Sequence, residues 1–238
     1  MLSDSRRFSR QFAAIALVGA PILWALGSLI DPAWADDTAE YLTEVADNEG
    51  MYLLSGLLWT LGGLLLVVGL LGVMRLVRGR RVTLGQIGAG LMIFGAIGMA
   101  SGLAFNGFEI AMATEDNREA MVTLSDNLED DSASLAIYWI SFFIVGIVLG
   151  ALLLVISLFR SKVVPIWAPI LLIVAIVIGF VGGDDKWITA VSFIVLAAGF
   201  FPLAQRMLAT SDDAWERWVL PAAAADPHEH DRVPAGAP

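Results

Sequence analysis

"GQIGAGLMIFGAIGMASGLAFNGFEIAM", residues 85–112, decides how this chain folds. No charge interrupts residues 82–108, a run longer than the ~20 residues that cross a ~30 Å hydrocarbon core as helix. Within it, Gly88, Gly95 and Gly102 recur every seventh position, and Glu109 continues the series. Gly98, Gly102 and Asn106 recur every fourth. On a helix both series fall on one face, drifting only ~20° per seven residues. Small residues let helix backbones approach closely inside a bilayer. The face therefore predicts packing through Gly88, Gly95, Gly98 and Gly102, with Asn106 and Glu109 turned toward the bundle. Matching surfaces exist at Gly146 and Gly150, and at Gly62, Gly69 and Gly72.

Glu109 faces inward, but depth limits its role. It lies 28 residues beyond Arg81, about 42 Å of helix at 1.5 Å per residue. Hydrocarbon thickness is only ~30 Å. The expectation is a carboxylate at the membrane edge, not a midplane proton relay.

Five further charge-poor blocks flank this one, and the six lie at about 11–30, 51–74, 82–108, 133–159, 163–183 and 187–205. The chain is 58% hydrophobic and 16% charged, against about 25% charged in soluble domains. No block shows the polar/apolar alternation of a barrel strand. The predicted fold is an all-α, polytopic transmembrane helical bundle of six spans. Cysteine is absent, which excludes disulfides and thiolate chemistry.

Charge is sorted by side. Arg6, Arg7, Arg10, Arg75, Arg78, Arg80, Arg81, Arg160, Lys162, Arg206 and Arg217 stand at one set of span ends. The alternate loops, 31–50 and 109–132, are acidic, as is "GGDDKW". The positive-inside rule then puts both termini, residues 1–10 and 210–238, in the cytoplasm and the acidic loops outside. By that count the outside has 17 acids and two bases, the inside seven acids and twelve bases. This is a multi-pass protein of the plasma membrane, with the bilayer as its first partner and no affinity for nucleic acid. "RRFSR" with "AWA" at 33–35 also fits a cleaved signal over residues 1–35. The apolar stretch, about 20 residues, exceeds the 7–15 of a signal core, so a retained helix is expected.

The first outer loop places Asp37 and Glu40 at capping-box spacing, followed by Leu42, Val45 and Ala46. The second places Met121, Leu124 and Leu128 at helical spacing. Both predict short amphipathic helices covering the bundle mouth. In the tail, Ser211, Asp212 and Asp213 start a helix, and Trp215 and Trp218 suit the headgroup region. Beyond Pro221 the chain is small, Pro-rich and expected to be disordered. His228 and His230 offer two ligands there, too few for a metal site.

No span carries an acid, base or histidine near its middle; the interior polar groups are hydroxyls and indoles such as Ser55, Trp59, Thr60 and Ser192. Metalloprotease, P-loop and nucleophile-elbow patterns are absent. No catalytic, cofactor-binding or metal residue is therefore assigned, and no cofactor. The candidate site is a polar cluster at the outer end: Asn106, Glu109, Asp31, Asp184, Asp185 and Lys186. A Glu109–Lys186 ion pair is expected there, Lys186 being one of two outer bases.

With its acidic outer helix and glycine-rich third span, the stretch "DNEGMYLLSGLLWTLGGLLLVVGLLGVMRLVR" (47–78) resembles six-helix membrane proteins common in actinobacteria. Those belong to domains of unknown function, so the resemblance implies a fold and no catalytic residues. The leading function is a non-enzymatic scaffold or accessory subunit, joining a membrane partner or its own copies through glycine-rich faces. The alternative is small-solute or cation permeation through an acidic mouth. An intramembrane enzyme lacks a catalytic set.

Overall fold

The computed structural model describes residues 5–77, 83–130, 135–182 and 185–216. These form α1 (Ser5–Ile30), α2 (Thr38–Asp47), α3 (Glu49–Leu76), α4 (Thr83–Met99), α5 (Gly102–Ala113), α6 (Arg118–Asp130), α7 (Leu135–Ser161), α8 (Trp167–Val181), α9 (Lys186–Ala209) and α10 (Asp212–Glu216). The described residues are all-helical. Five helical stretches are long and apolar enough to cross a membrane: α1, α3, α4 with α5, α7 and α9. Their outward faces carry exposed Leu64, Leu71, Val145, Val191 and Ile194, an apolar exterior that suits lipid rather than water.

The expected fifth span, 163–183, is shorter than its apolar block. Its helix, α8, has 15 residues, about 22 Å. Lys162 takes a left-handed backbone at φ 53°, Pro165 follows, and Gly182 caps the far end. These breakers confine the helix.

Close backbone approach builds the bundle. α1 packs between α3 and α9, with Ala16, Leu17 and Ala20 fully buried. Gly62, Gly69 and Gly72 of α3 receive it: a Cβ at Gly69 would stand 2.6 Å from the Leu17 Cα. Spacing alone assigns these three glycines to the third span. They face α1 instead, because α3 has two small-residue faces and only Gly63 turns toward α4. A Cβ there would meet the Ala96 carbonyl oxygen at 2.8 Å. α4 pairs with α7, α8 with α9, and α7 touches α8 only sparsely.

At the basic end, Arg10 of α1 pairs with Asp212 at 2.9 Å and donates to the Thr210 carbonyl. The Arg75 guanidinium lies 5.3 Å above the Trp215 ring. Trp215 is buried in the main core, packed against protein rather than exposed. α10 folds back on the bundle because α1 and α3 each offer it an arginine. Arg78, Arg80, Arg81, Arg217, Trp218, His228 and His230 lie outside the described residues.

The acidic end has a second, smaller core. Leu42 and Val45 of α2 pack with Ala33, Tyr52, Ile110, Met112 and Ala113, and Met121 and Val122 of α6 pack against that cluster. Asp37 caps α2 by accepting from the Glu40 amide at 3.0 Å, satisfying one orphan donor of the first turn.

Candidate functional site

The site begins where the third span breaks. α4 ends at Met99 and α5 starts at Gly102, so the stretch is not the single helix the glycine series assumed. No proline is present; the cause is hydroxyl chemistry. Ser101 donates its hydroxyl to the Gly98 carbonyl at 2.6 Å. Thr60 of α3 accepts the Leu103 amide at 3.1 Å. Groups that would extend the helical ladder are thereby bonded elsewhere.

The break turns the glycine face. Before it, the face meets α7: a Cβ at Gly88 would stand 2.6 Å from the Gly150 carbonyl oxygen, and one at Gly150 the same distance from that of Gly88. Gly95 lies against Ile147 and Gly98 against Phe143, while Gly146 approaches the Leu91 carbonyl. After the break it meets α3: Gly102 has Trp59 as its neighbour, and Asn106 fills the space beside Gly56. The chain thus uses Gly88, Gly95, Gly98, Gly146 and Gly150 for its own α4–α7 seam. Open space surrounds Gly50, Gly90 and Gly107.

The turn brings α5 polar groups to α3. Asn106 donates from Nδ2 to the Tyr52 carbonyl at 3.1 Å. Glu109 accepts from the Tyr52 hydroxyl through Oε2. The Tyr41 and Tyr52 hydroxyls are 2.6 Å apart. The two phenols thus stand together beside the Glu109 carboxylate. Burial, and next the Glu109 charge, push the Tyr41 phenol above its usual range. Tyr41 therefore stays a neutral phenol, able to donate a hydrogen bond.

Asp31 closes the cluster from the end of α1. Its Oδ2 accepts from Ser55 at 2.8 Å, and its Oδ1 from the Ala33 amide at 3.1 Å. Burial raises the Asp31 carboxyl above the usual carboxylate value; the Ser55 and Ala33 bonds and the Lys186 charge pull it down, and Glu44 pushes it up. Glu44 in turn accepts from the Trp34 amide at 2.9 Å and the Ala35 amide at 3.2 Å, tying the α1–α2 connection to α2. Arg118 donates to Thr43 at 3.2 Å and to the Ala113 carbonyl at 3.1 Å. Thr38 donates to Asp126 at 2.7 Å. α2, α5 and α6 thus form one cap.

The expected members separate accordingly. Asp31, Asn106 and Glu109 all bond to residues of α3, and Asp31 and Asn106 line one chamber of about 240 Å³ with Tyr52, Trp59 and Ser101. Lys186 acts electrostatically on Asp31. No Glu109–Lys186 ion pair is present among the described residues; the Tyr52 hydroxyl takes that place. Asp185 caps α9, accepting from the Trp187 and Ile188 amides at 2.8 and 2.9 Å. Asp184 lies outside the described residues.

Sequence reasoning missed Tyr41 and Tyr52, and noted Ser55 and Trp59 only as interior polar groups. One signal was available: of three tyrosines in the chain, two flank the same short acidic segment, and a buried tyrosine hydroxyl usually needs a partner.

A family model described as a domain of unknown function, DUF4386, matches residues 12–183. No curated protein and no solved structure matches the chain.

Proposed function

The chain belongs to the DUF4386 family, and from that footing we propose a non-enzymatic membrane scaffold or accessory subunit that presents a rigid acidic cap to a basic partner. The observation that carries this reading is the cap's own core. Leu42, Val45, Ile110 and Met112 are buried in it, while Asp36, Asp37, Glu40, Glu115, Asp116 and Glu119 are exposed around it. A loose loop would not hold carboxylates in a fixed array. Fixed charge complementarity steers association and sets its specificity.

The membrane arrangement belongs to the same proposal: six crossings of the plasma membrane, α8 the shortest, with both termini cytoplasmic and the cap outside. Segregation of Arg and Lys to one end supports the orientation. The burial of α1 between α3 and α9 supports its retention as a helix rather than cleavage as a signal. Self-association through the α4 and α7 glycines has less support, since those glycines already face each other within one chain. Cation permeation has less support too. Beneath the cluster of Asp31 and Glu109 the expected spans offer only hydroxyls and indoles.

The test is purification in mild detergent of the wild type and of a cap carrying Asp36→Lys, Glu40→Lys and Glu119→Lys. The expected result is a stable, salt-sensitive complex with the wild type and the chain alone with the variant. One unaccompanied species in both preparations would overturn the reading.

A further inference from the structure

A second chamber adjoins the polar one. It measures about 320 Å³ and is lined from α1, α3, α4, α7, α8 and α9, among them by Trp24, Leu66, Met92, Ala175 and Phe193. Its polar groups are the hydroxyls of Thr189 and Ser192. Met99 and Ile144 line both chambers. Near that boundary stands an aromatic cluster: Trp24 and Trp59 stack at 5.9 Å, Phe193 meets both rings, and the Trp24 indole donates to the Trp59 carbonyl at 2.9 Å. Exposed Phe180 of α8 and Ile144 of α7 stand at the rim, where those two helices barely touch. The apolar chamber thus has a side facing the lipid-exposed surface.

Each chamber alone is near the lower bound of about 300 Å³ for a small-molecule site. Taken together, the adjoining chambers have the polarity of an amphiphile, with a polar end at the acidic end of the bundle and an apolar end within it. The charged group lining the polar chamber is Asp31, and each of its oxygens has one donor, where a carboxylate has room for about four. The Trp59 and Phe105 rings also line it, and aromatic faces attract cations. Asn106 adds an amide beside them.

We infer that the adjoining chambers bind one lipid, its acyl chain in the apolar chamber and a protonated-amine headgroup against Asp31 and the Trp59 ring. The lipid enters from the side, between α7 and α8. This site is separate from the acidic cap surface, so its failure leaves the scaffold reading standing, and the reverse.

The full chain, reconstituted in phosphatidylglycerol nanodiscs, tests this with brominated-chain phosphatidylethanolamine or brominated-chain phosphatidylglycerol as dopant. Quenching of tryptophan fluorescence, which Trp24 and Trp59 report from the chamber walls, is read against dopant mole fraction. A charge-assisted hydrogen bond predicts half-maximal quenching by the amine lipid at about tenfold lower mole fraction than by the other. Asp31→Asn should erase that preference and leave the quenching common to both lipids. Gly179→Leu should weaken quenching by both, because a Cβ there meets Ser192 only at 3.5 Å and the side chain enters the apolar chamber. Equal mole fractions in the wild type overturn the inference. A preference that survives Asp31→Asn, or quenching unmoved by Gly179→Leu, overturns it as well. Should either variant elute as aggregate, the wild-type comparison decides alone.

Discussion

The α4–α7 seam and the cluster around Tyr52 hold adjacent parts of one span by opposite means. In the seam, glycines bring backbones to contact, and no side-chain polar group is needed. In the cluster, Tyr41, Tyr52, Asn106, Glu109, Asp31 and Ser55 form bonds between α1, α2, α3 and α5. The change of method falls at Ser101, where the helix turns its face from α7 to α3. Within hydrocarbon, packing and dispersion are what helices have to associate with. At the membrane edge, where water competes, partly buried hydroxyls and carboxylates bond one another.

The largest effect is expected from breaking the seam. At Gly88, an added Cβ meets backbone on α7, the Gly150 oxygen and the Leu154 nitrogen both at 2.6 Å. Gly88→Leu should cost roughly 3 kcal/mol or prevent folding. Thermal unfolding in detergent and elution as a single species check this; a wild-type melting curve would show that the seam does not hold the bundle.

Next comes the cluster. Tyr52→Phe removes the hydroxyl shared by Tyr41 and Glu109 and should cost about 2 kcal/mol. The loss should be local: faster hydrogen exchange over residues 38–47 and 102–113, with α7 unchanged. Uniformly faster exchange would make the cap and the bundle one unit and dissolve the contrast.

A smaller effect, dependent on pH, is expected from Asp31→Asn. Burial holds the wild-type carboxyl above its free value of 3.8, so the folded chain binds that proton more tightly than the unfolded chain. Ionised Asp31 therefore costs stability at neutral pH. The cost shrinks as the pH falls through the folded-state value, and it is gone below the unfolded one. Asp31→Asn should be the more stable of the two near neutrality, by less than Tyr52→Phe loses, and the gap should close on acidification. A gap that widens on acidification would reverse the sign and assign Asp31 a stabilising charge.

The smallest effect belongs to Gly90, two positions from Gly88 of the seam but in open space. Gly90→Ala should stabilise by about 0.5–1 kcal/mol, the ordinary helical gain over glycine. A loss there would mean that the seam is wider than its contacts.

The same contrast explains what the sequence disclosed. Packing positions were legible because glycine spacing is local, and helical periodicity alone puts Gly88 and Gly95 on one face. The identity of the facing helix was not legible. Gly62, Gly69 and Gly72 suit any close neighbour, and the fold gives them α1. The break at Ser101 was hidden because Thr60, 43 positions away, captures the Leu103 amide. In the cluster, Asp31, Asn106 and Glu109 were conspicuous as rare polar residues at span ends. Their partners were not, since Tyr52 reads equally well as an interfacial aromatic. A charge-based rule then matched Glu109 to Lys186, although Lys186 exerts its field on Asp31 and a hydroxyl serves Glu109.

The orientation of the two ends is the claim on which the cap and its partner depend. With no natural cysteine in the chain, single cysteines at exposed Glu119 in the cap and exposed Lys162 at the basic end can be probed with a membrane-impermeant maleimide on intact cells. Labelling of Glu119→Cys, with Lys162→Cys reacting only after the cells are opened, is the result expected. Labelling of Lys162→Cys on intact cells, with Glu119→Cys protected, would contradict it.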